Sequence, residues 1–378
     1  MAHRRMRVLF QTIGVLVHYN YALPYYLIRT GRVNEVRLLS SVFPILMGGW
    51  YYFVKAQGRM RLKVTSCGIG LIDSRKIMRL LNKIAVKRST SEHFDVTHLN
   101  SRDEIIDALL KARNPKIFVL HGSPDFMNKV DRVSLEELYS KVDAFVVASM
   151  HAAKKLYELY GLKPDHVIHH GVDVEVFNPT SYPRNISKEK LGIPACKKVV
   201  LWNARMSPEK RLETLILALP YVIKDFKDFL VLVKTRTINK SYEAKILRLV
   251  SMLRVDNYII FDKSWTPLVQ MPVYYRAADV FVNTSITEAF GSLTMLEAMA
   301  CGIPTIANNA SSNPEALGDG GLLYDTDDPD DLAEKLLKVL VDDKLAKILS
   351  RKAYDRIKRE LTLRKQAEEY VRLYSSLL

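Results

Sequence analysis

Along the chain, short runs of β-branched and aromatic residues alternate with stretches whose apolar positions recur at helical spacing. This is the pattern of βαβ units and a mostly parallel sheet. In the first half the strand-like runs are 7–13, 36–42, 94–99, 116–121, 144–149 and 166–171. Helical spacing covers 104–113, 135–141 and 152–160, and another helix is expected to begin near Asn20. Residues 178–185 (NPTSYPRN) are polar, carry two prolines and read as a linker. Beyond them the alternation restarts, with strands predicted at 198–203, 229–235, 258–261, 280–284, 305–307 and 322–324. The accompanying helices are predicted at 212–224, 242–253, 271–276, 294–300, 329–341 and 345–360, and a last helical pattern lies within 361–378. At 378 residues the chain exceeds what one core usually serves. The pattern therefore predicts two α/β domains, 1–183 and 184–360, followed by a terminal helix. Sheets of this kind bind ligands beyond the carboxyl ends of their strands.

Composition narrows the class. With 48% apolar and 26% charged residues and a mean hydropathy of −0.04, the chain is not disordered, collagen-like or polytopic in a membrane. Cys67, Cys196 and Cys301 are too few and too scattered for a disulfide framework or a zinc cage, and the chain reads as intracellular. Charge is spread unevenly. The net charge is +15, yet residues 1–100 hold 16 basic and 4 acidic side chains. A basic excess confined to one region suits an anionic partner there, such as phospholipid headgroups, a nucleotide diphosphate or nucleic acid. The uncharged stretches 8–28 and 38–54 are the candidates for membrane spans. The first contains Gln11, Thr12, His18, Asn20 and Pro24; the second is broken by Pro44, Gly48 and Gly49. No spanning helix is expected. Trp50, Tyr51, Tyr52 and Phe53, beside Lys55, Arg59, Arg61 and Lys63, suit either a membrane interface or an aromatic core.

Two segments carry the candidate chemistry. In 279–309 a buried strand runs into a loop with Glu288, Phe290 and Gly291, and a helix starting near 292–294 carries Glu297. Cys301-Gly302 ends that helix, and Pro304 cannot continue it. A helix start after a glycine turn offers free N–H groups and a positive dipole end to an anion. Glu297 can accept hydrogen bonds from hydroxyls such as those of a ribose; its plainer use is as a favourable charge at a helix start. In 202–211 (WNARMSPEKR), Arg205 and Lys210 flank a turn and can address one anion, a planar fork and a point charge suited to a diphosphate. A solvated basic loop is the plainer reading.

Taken in order, these two segments resemble retaining nucleotide-sugar glycosyltransferases of family 4. Residues 146–156 (VVASMHAAKKL), 168–177 (IHHGVDVEVF), 274–283 (YYRAADVFVN) and 313–321 (NPEALGDGG) resemble further stretches of that family, in the same order. The resemblance covers 116–324 well and the first hundred residues poorly. It implies the GT-B fold: two Rossmann-like doubly wound domains facing across a cleft, the first binding acceptor, the second nucleotide sugar. The terminal helix would pack back on the first. It also implies roles. Arg205 and Lys210 would hold the donor diphosphate, Glu288 would contact the donor sugar, and Glu297 would hold the ribose. Main-chain N–H groups around Phe290, Gly291, Ser292 and Leu293 would contact sugar and phosphate, and His121 would face the sugar from the first domain. The family usually places seven residues between the two glutamates; here there are eight, and the extra one is expected in the turn before the helix. The family's glycine pair after the first strand is reduced to Gly14.

The implied activity moves a hexosyl group from a nucleoside-diphosphate sugar to a lipid-linked, phospholipid or glycan hydroxyl, with retention. The donor is a co-substrate, and no metal or cofactor is expected. The expected location is cytoplasmic, with peripheral contact at an anionic membrane face. The alternatives are a GT-B epimerase or phosphorylase, a non-catalytic sugar-nucleotide binder and a nucleic-acid binder. The last lacks any RNA-recognition or helix-turn-helix signature.

Overall fold

The computed structural model describes residues 5–11, 22–40, 55–56, 59–64, 92–100, 106–124 and 129–378. They form two compact units: one built from the chain up to His169 together with Leu363–Leu378, the other from His170–Thr362.

In the first unit, β1 (Met6–Gln11), β2 (Val33–Ser40), β3 (Met60–Val64), β4 (Val96–Leu99), β5 (Lys116–Leu120), β6 (Ala144–Val147) and β7 (His166–Val167) form one sheet. Their order is β3-β2-β1-β4-β5-β6-β7, and each neighbouring pair is parallel. Strands covered on both faces need continuous apolar runs, and Val8, Leu9, Phe10 and Val96 are accordingly buried. The crossovers hold α1 (Leu23–Arg29), α2 (Ile106–Leu109), α3 (Lys129–Lys141) and α4 (Met150–Tyr160). α1 opens with Pro24 in its first turn and buries Leu23, Tyr26, Leu27 and Ile28. α4 starts at Ser149, whose side chain accepts from the Ala152 amide, and stops at Gly161, whose φ of 68° only glycine takes without strain. β3 was not anticipated. Its alternating sequence, MRLKV, suits its place at the end of the described sheet.

The second unit begins earlier than Pro183. Val172 bridges to Thr362, its amide donates to the Leu361 carbonyl at 2.9 Å, and the Phe177 ring lies 5.9 Å from that of Tyr275. These contacts move 170–183 out of the first domain. Part of the expected linker is also a helix, α5 (Arg184–Lys190). Lys188 is buried there because its ammonium donates to the Lys197 carbonyl at 2.7 Å and lies 3.6 Å from Asp279. Then follow β8 (Lys198–Met206), α6 (Leu212–Asp225), β9 (Phe229–Thr237), α7 (Lys240–Leu253), β10 (Ile259–Asp262), α8 (Pro272–Ala277) and β11 (Val280–Asn283). The unit closes with α9 (Leu293–Ala300), β12 (Thr305–Asn308), α10 (Asn313–Leu317), β13 (Gly321–Tyr324), α11 (Pro329–Val341) and α12 (Asp343–Glu360). The all-parallel sheet runs β10-β9-β8-β11-β12-β13, so chain order reverses between β8 and β11. That switch point leaves a crevice beyond the strand ends. Trp202, Leu215, Leu219, Val231, Val280 and Leu336 belong to the core cluster beneath it.

The last helix, α13 (Leu363–Leu377), returns to the first unit and packs on α1. Among the described residues no helix is long and apolar enough to cross a membrane. Trp50, Tyr51, Tyr52 and Phe53 lie outside the described residues.

Candidate active site

The two sequence segments singled out in the second unit meet at the switch point. β8 ends in a single 3-10 turn, Pro208–Lys210, and β11 ends in the loop that carries Glu288. The Ile286 amide donates to the Glu209 carbonyl at 3.1 Å. The Thr284 hydroxyl donates to the Lys210 carbonyl at 2.5 Å and accepts from the Trp202 indole N–H at 2.8 Å. Lys210 Nζ then lies 2.7 Å from Glu288 Oε1 and 3.2 Å from Ser285 Oγ. With side-chain exposures of 11% and 14%, this pair is too covered for water to screen it freely.

Behind the pair stands a scaffold of buried amides. Asn308 donates to the Thr284 carbonyl at 2.8 Å, and Asn313 donates to the Ser285 carbonyl at 2.9 Å and to Asn308 Oδ1. The Ser311 and Ser312 hydroxyls donate to the Glu288 carbonyl at 2.8 and 2.9 Å. The loop is thus bonded from both sides, and Glu288 is held on a preset backbone.

α9 begins directly after this loop. Gly291 takes φ +52°, and a Cβ there would stand 2.5 Å from Met295 Cε and 2.7 Å from Ala316 Cβ, so glycine is demanded twice over. Ser292 caps the helix, its side chain accepting from the Met295 amide at 3.1 Å. The helix is regular from Leu293 to Ala300. The turn through Gly291 and Ser292 thus precedes a helix without interruption up to Glu297 and beyond. The Gly291 amide donates to Ser312 Oγ at 2.9 Å, and Phe290 is wholly buried with its ring 6.4 Å from that of His170. Phe290 and Gly291 shape the turn, and α9 itself begins at Leu293.

Glu297 lies one turn further along. Tyr275 Oη donates to its Oε2 at 2.5 Å and accepts from Asn203 Nδ2, in the carboxyl half of β8, at 2.9 Å. Burial pushes the Glu297 carboxyl up to about 7, against the lowering effect of the Tyr275 hydrogen bond. Arg205 does not join Lys210 directly. Its guanidinium is 62% exposed, 3.6 Å from Glu209.

His121 belongs to the first unit, just past β5, where its Nε2 lies 2.8 Å from Asn100 Oδ1. Gly14 lies outside the described residues. Among the described residues, no three His, Cys, Asp or Glu side chains come together to hold a metal ion.

Residues 51–176 match the family model for Glycosyltransferase Family 4, and residues 183–356 match the model for Glycosyl transferases group 1. The chain belongs to the family 4 glycosyltransferases. Its paired doubly wound units are those of the GT-B fold. The chain is 32% identical over 236 residues to the D-inositol 3-phosphate glycosyltransferase of Saccharomonospora viridis, covering 59% of this chain and 53% of that one. It is 28% identical over 221 residues to a GDP-mannose-dependent monoacylated alpha-(1-6)-phosphatidylinositol monomannoside mannosyltransferase of Corynebacterium glutamicum, covering 56% of each. The chain spans about half the length of the curated relatives it matches. Among solved structures it resembles a glycosyltransferase of Rickettsia africae (TM-score 0.79, 18% identity, 99% and 98% of the two chains). Anabaena HepE in complex with UDP and glucose is similar at a TM-score of 0.80 with 17% identity, covering 98% of this chain and 100% of that one.

One polar cluster of the second unit lies outside the two segments predicted to carry the chemistry. Lys234, at the carboxyl side of β9 and 5% exposed, donates to the Ser264 carbonyl at 2.7 Å and to Ser264 Oγ at 3.0 Å, 3.2 Å from Asp262. Burial works against an ionised Asp262, but hydrogen bonds from Ser264 and Tyr274 and the Lys234 charge outweigh it and hold the carboxyl below its usual range. Tyr274 and its neighbour Tyr275 thus connect α8 to two polar clusters, one at β9 and β10, the other at β8 and Glu297. Lys234 stands where the family often has a small residue, but its partners Asp262, Ser264 and Tyr274 are not marked by any local pattern.

Proposed function

We propose that the protein transfers a hexosyl group from a nucleoside-diphosphate sugar to an acceptor hydroxyl with retention of configuration. The observation that carries this reading is the covered Lys210–Glu288 pair beside the start of α9, at the switch point of the second sheet. The Lys210 ammonium, the exposed Arg205 guanidinium and the first amides of α9 supply positive charge for a departing diphosphate. The bond from the anomeric carbon to the phosphate oxygen breaks and the bond to the acceptor oxygen forms. The acceptor proton passes to the leaving diphosphate. Glu288, already an acceptor for Lys210, receives sugar hydroxyls and Glu297 receives the ribose hydroxyls; for His121 the family resemblance implies a contact with the sugar. No metal is required where fixed cations and amides carry the charge.

The two relatives are named for inositol phosphate and for a phosphatidylinositol mannoside. With the basic excess of residues 1–100, this favours an anionic acceptor or lipid headgroup and peripheral contact with an anionic membrane at its cytoplasmic face. Co-sedimentation with anionic vesicles, lost at high salt, is the expected result. For the reaction itself, a thermal-shift panel of nucleotide sugars identifies the donor, because a ligand that binds the folded state raises its stability. With that donor, Arg205→Ala should lower kcat on the order of 10²-fold. Normal turnover by this variant would remove Arg205 from the site.

A further inference from the structure

At the carboxyl end of the first sheet, side chains from three strands and the last helix converge on one amide. Asn100, just past β4, donates from Nδ2 to the Gln11 carbonyl at 2.6 Å, and its own amide donates to Gln11 Oε1 at 3.2 Å. This fixes the orientation of the Asn100 side chain, so that its Oδ1 faces two imidazoles. His98 Nε2 lies 2.9 Å from that oxygen and His121 Nε2 lies 2.8 Å from it. A carbonyl oxygen only accepts, so both rings must present an N–H at Nε2. His98 is completely buried, between the Phe10 ring at 4.3 Å and the Tyr370 ring at 4.9 Å. Its Nδ1, 2.6 Å from Tyr374 Oη, then carries the lone pair and accepts from the phenol.

We propose that Asn100, oriented by Gln11, is a positioning residue that locks His121 in its Nε2–H tautomer. The lock leaves Nδ1 as the basic nitrogen, so a group engaged there must bring the hydrogen, as a sugar hydroxyl does. This rests on the role given to His121 above. It adds that the same Asn100 oxygen also takes the Nε2–H of His98, whose Nδ1 is closed by Tyr374 of the C-terminal helix. Burial holds His98 neutral, at about 3, against the raising effect of its bond to Asn100, so that ring stays uncharged near neutral pH.

The test is long-range 1H–15N correlation of the imidazoles in the full chain, labelled at histidine and measured without ligand near pH 7.5. Resonances are assigned by His98→Gln and His121→Gln. The wild-type protein should show both rings as single Nε2–H forms, and an Nδ1–H form or a mixture at His121 would overturn the proposal. Asn100→Leu should turn His121 into a mixture of tautomers, whereas Asn100→Asp, which still accepts from both rings, should preserve the Nε2–H form. Tyr374→Phe should move the His98 Nδ1 resonance to that of an unbonded nitrogen. Unmoved His121 resonances in a folded Asn100→Leu protein would refute the lock. Should that variant not fold, the wild-type spectrum and Asn100→Asp decide. Failure of the underlying role would look different: a correct tautomer with undiminished donor turnover in His121→Ala.

Discussion

The carboxyl ends of the two sheets share one architecture and are equipped in opposite ways. The second sheet collects charge, with Lys210 on Glu288 and Lys234 on Asp262, each cation largely covered. The first collects neutral groups, a histidine pair on a shared amide closed by a tyrosine. Covered charges must be matched in place because an unpaired partner is costly to bury. Neutral donors and acceptors instead fix orientation and tautomer. One end is therefore suited to holding an anion, and the other to presenting a single nitrogen. The fold is common to both, and the side chains at the strand ends separate them.

The sharpest break in that comparison is at the charged end. Lys210→Ala should lower donor turnover on the order of 10²-fold or more. It should also cost about 3 kcal/mol of stability by leaving Glu288 covered and unpaired. Kinetics and urea melts read these together. Adding Glu288→Gln should restore much of the stability and none of the turnover, and additive losses would mean the two side chains do not act as a pair.

Gly291→Ala comes next. The left-handed backbone and the close approach of Met295 and Ala316 should make it cost about 2 kcal/mol, seen as a lower Tm and a weaker thermal shift with donor.

Glu297 gives a smaller effect with a distinctive pH signature. Its carboxyl lies near 7 in the folded chain and near 4.5 in the unfolded one. The folded state thus binds the extra proton between those values, and ionisation opposes folding as pH rises through them. Relative to wild type, Glu297→Gln should gain Tm as pH rises from 4.5 to 7, hold that gain above 7, and show none below 4.5. Binding of ribose hydroxyls favours the ionised form, so nucleotide affinity in the wild type should fall as pH drops below 7, which calorimetry at several pH values would show.

The finest contrast uses matched helix caps. Ser149→Ala in the first unit and Ser292→Ala in the second should each cost about 1 kcal/mol, since each side chain accepts one amide of its helix's first turn. Only the second should also weaken donor binding; equal affinity in both variants would separate the start of α9 from the anion site.

How much could be read in advance differed between the two ends for a physical reason. Arg205, Lys210, Glu288 and Glu297 sit in two contiguous segments at strand-to-helix turns, where periodicity, a glycine and a proline mark the places. The helical spacing of 152–160 likewise marks most of α4. By contrast, His98, Asn100 and Tyr374 are ordinary residues in a strand, a loop and a helix, and Tyr374 lies 276 positions from His98. The boundary at Pro183 was misplaced for a similar reason. A polar, proline-bearing segment looks like a linker, yet the pairing of Val172 with Thr362 ties the preceding residues to the second unit.

By itself, the order of residues determined the alternation of strands and helices, the two-unit plan and the local turns, because these depend on side-chain periodicity and backbone preference over a few neighbours. Only the tertiary structure decided which charge meets which, that Tyr275 joins Asn203 to Glu297, and that a C-terminal phenol bonds a histidine of β4. Those pairings depend on distances between segments brought together by burial of apolar faces, a quantity no local pattern encodes.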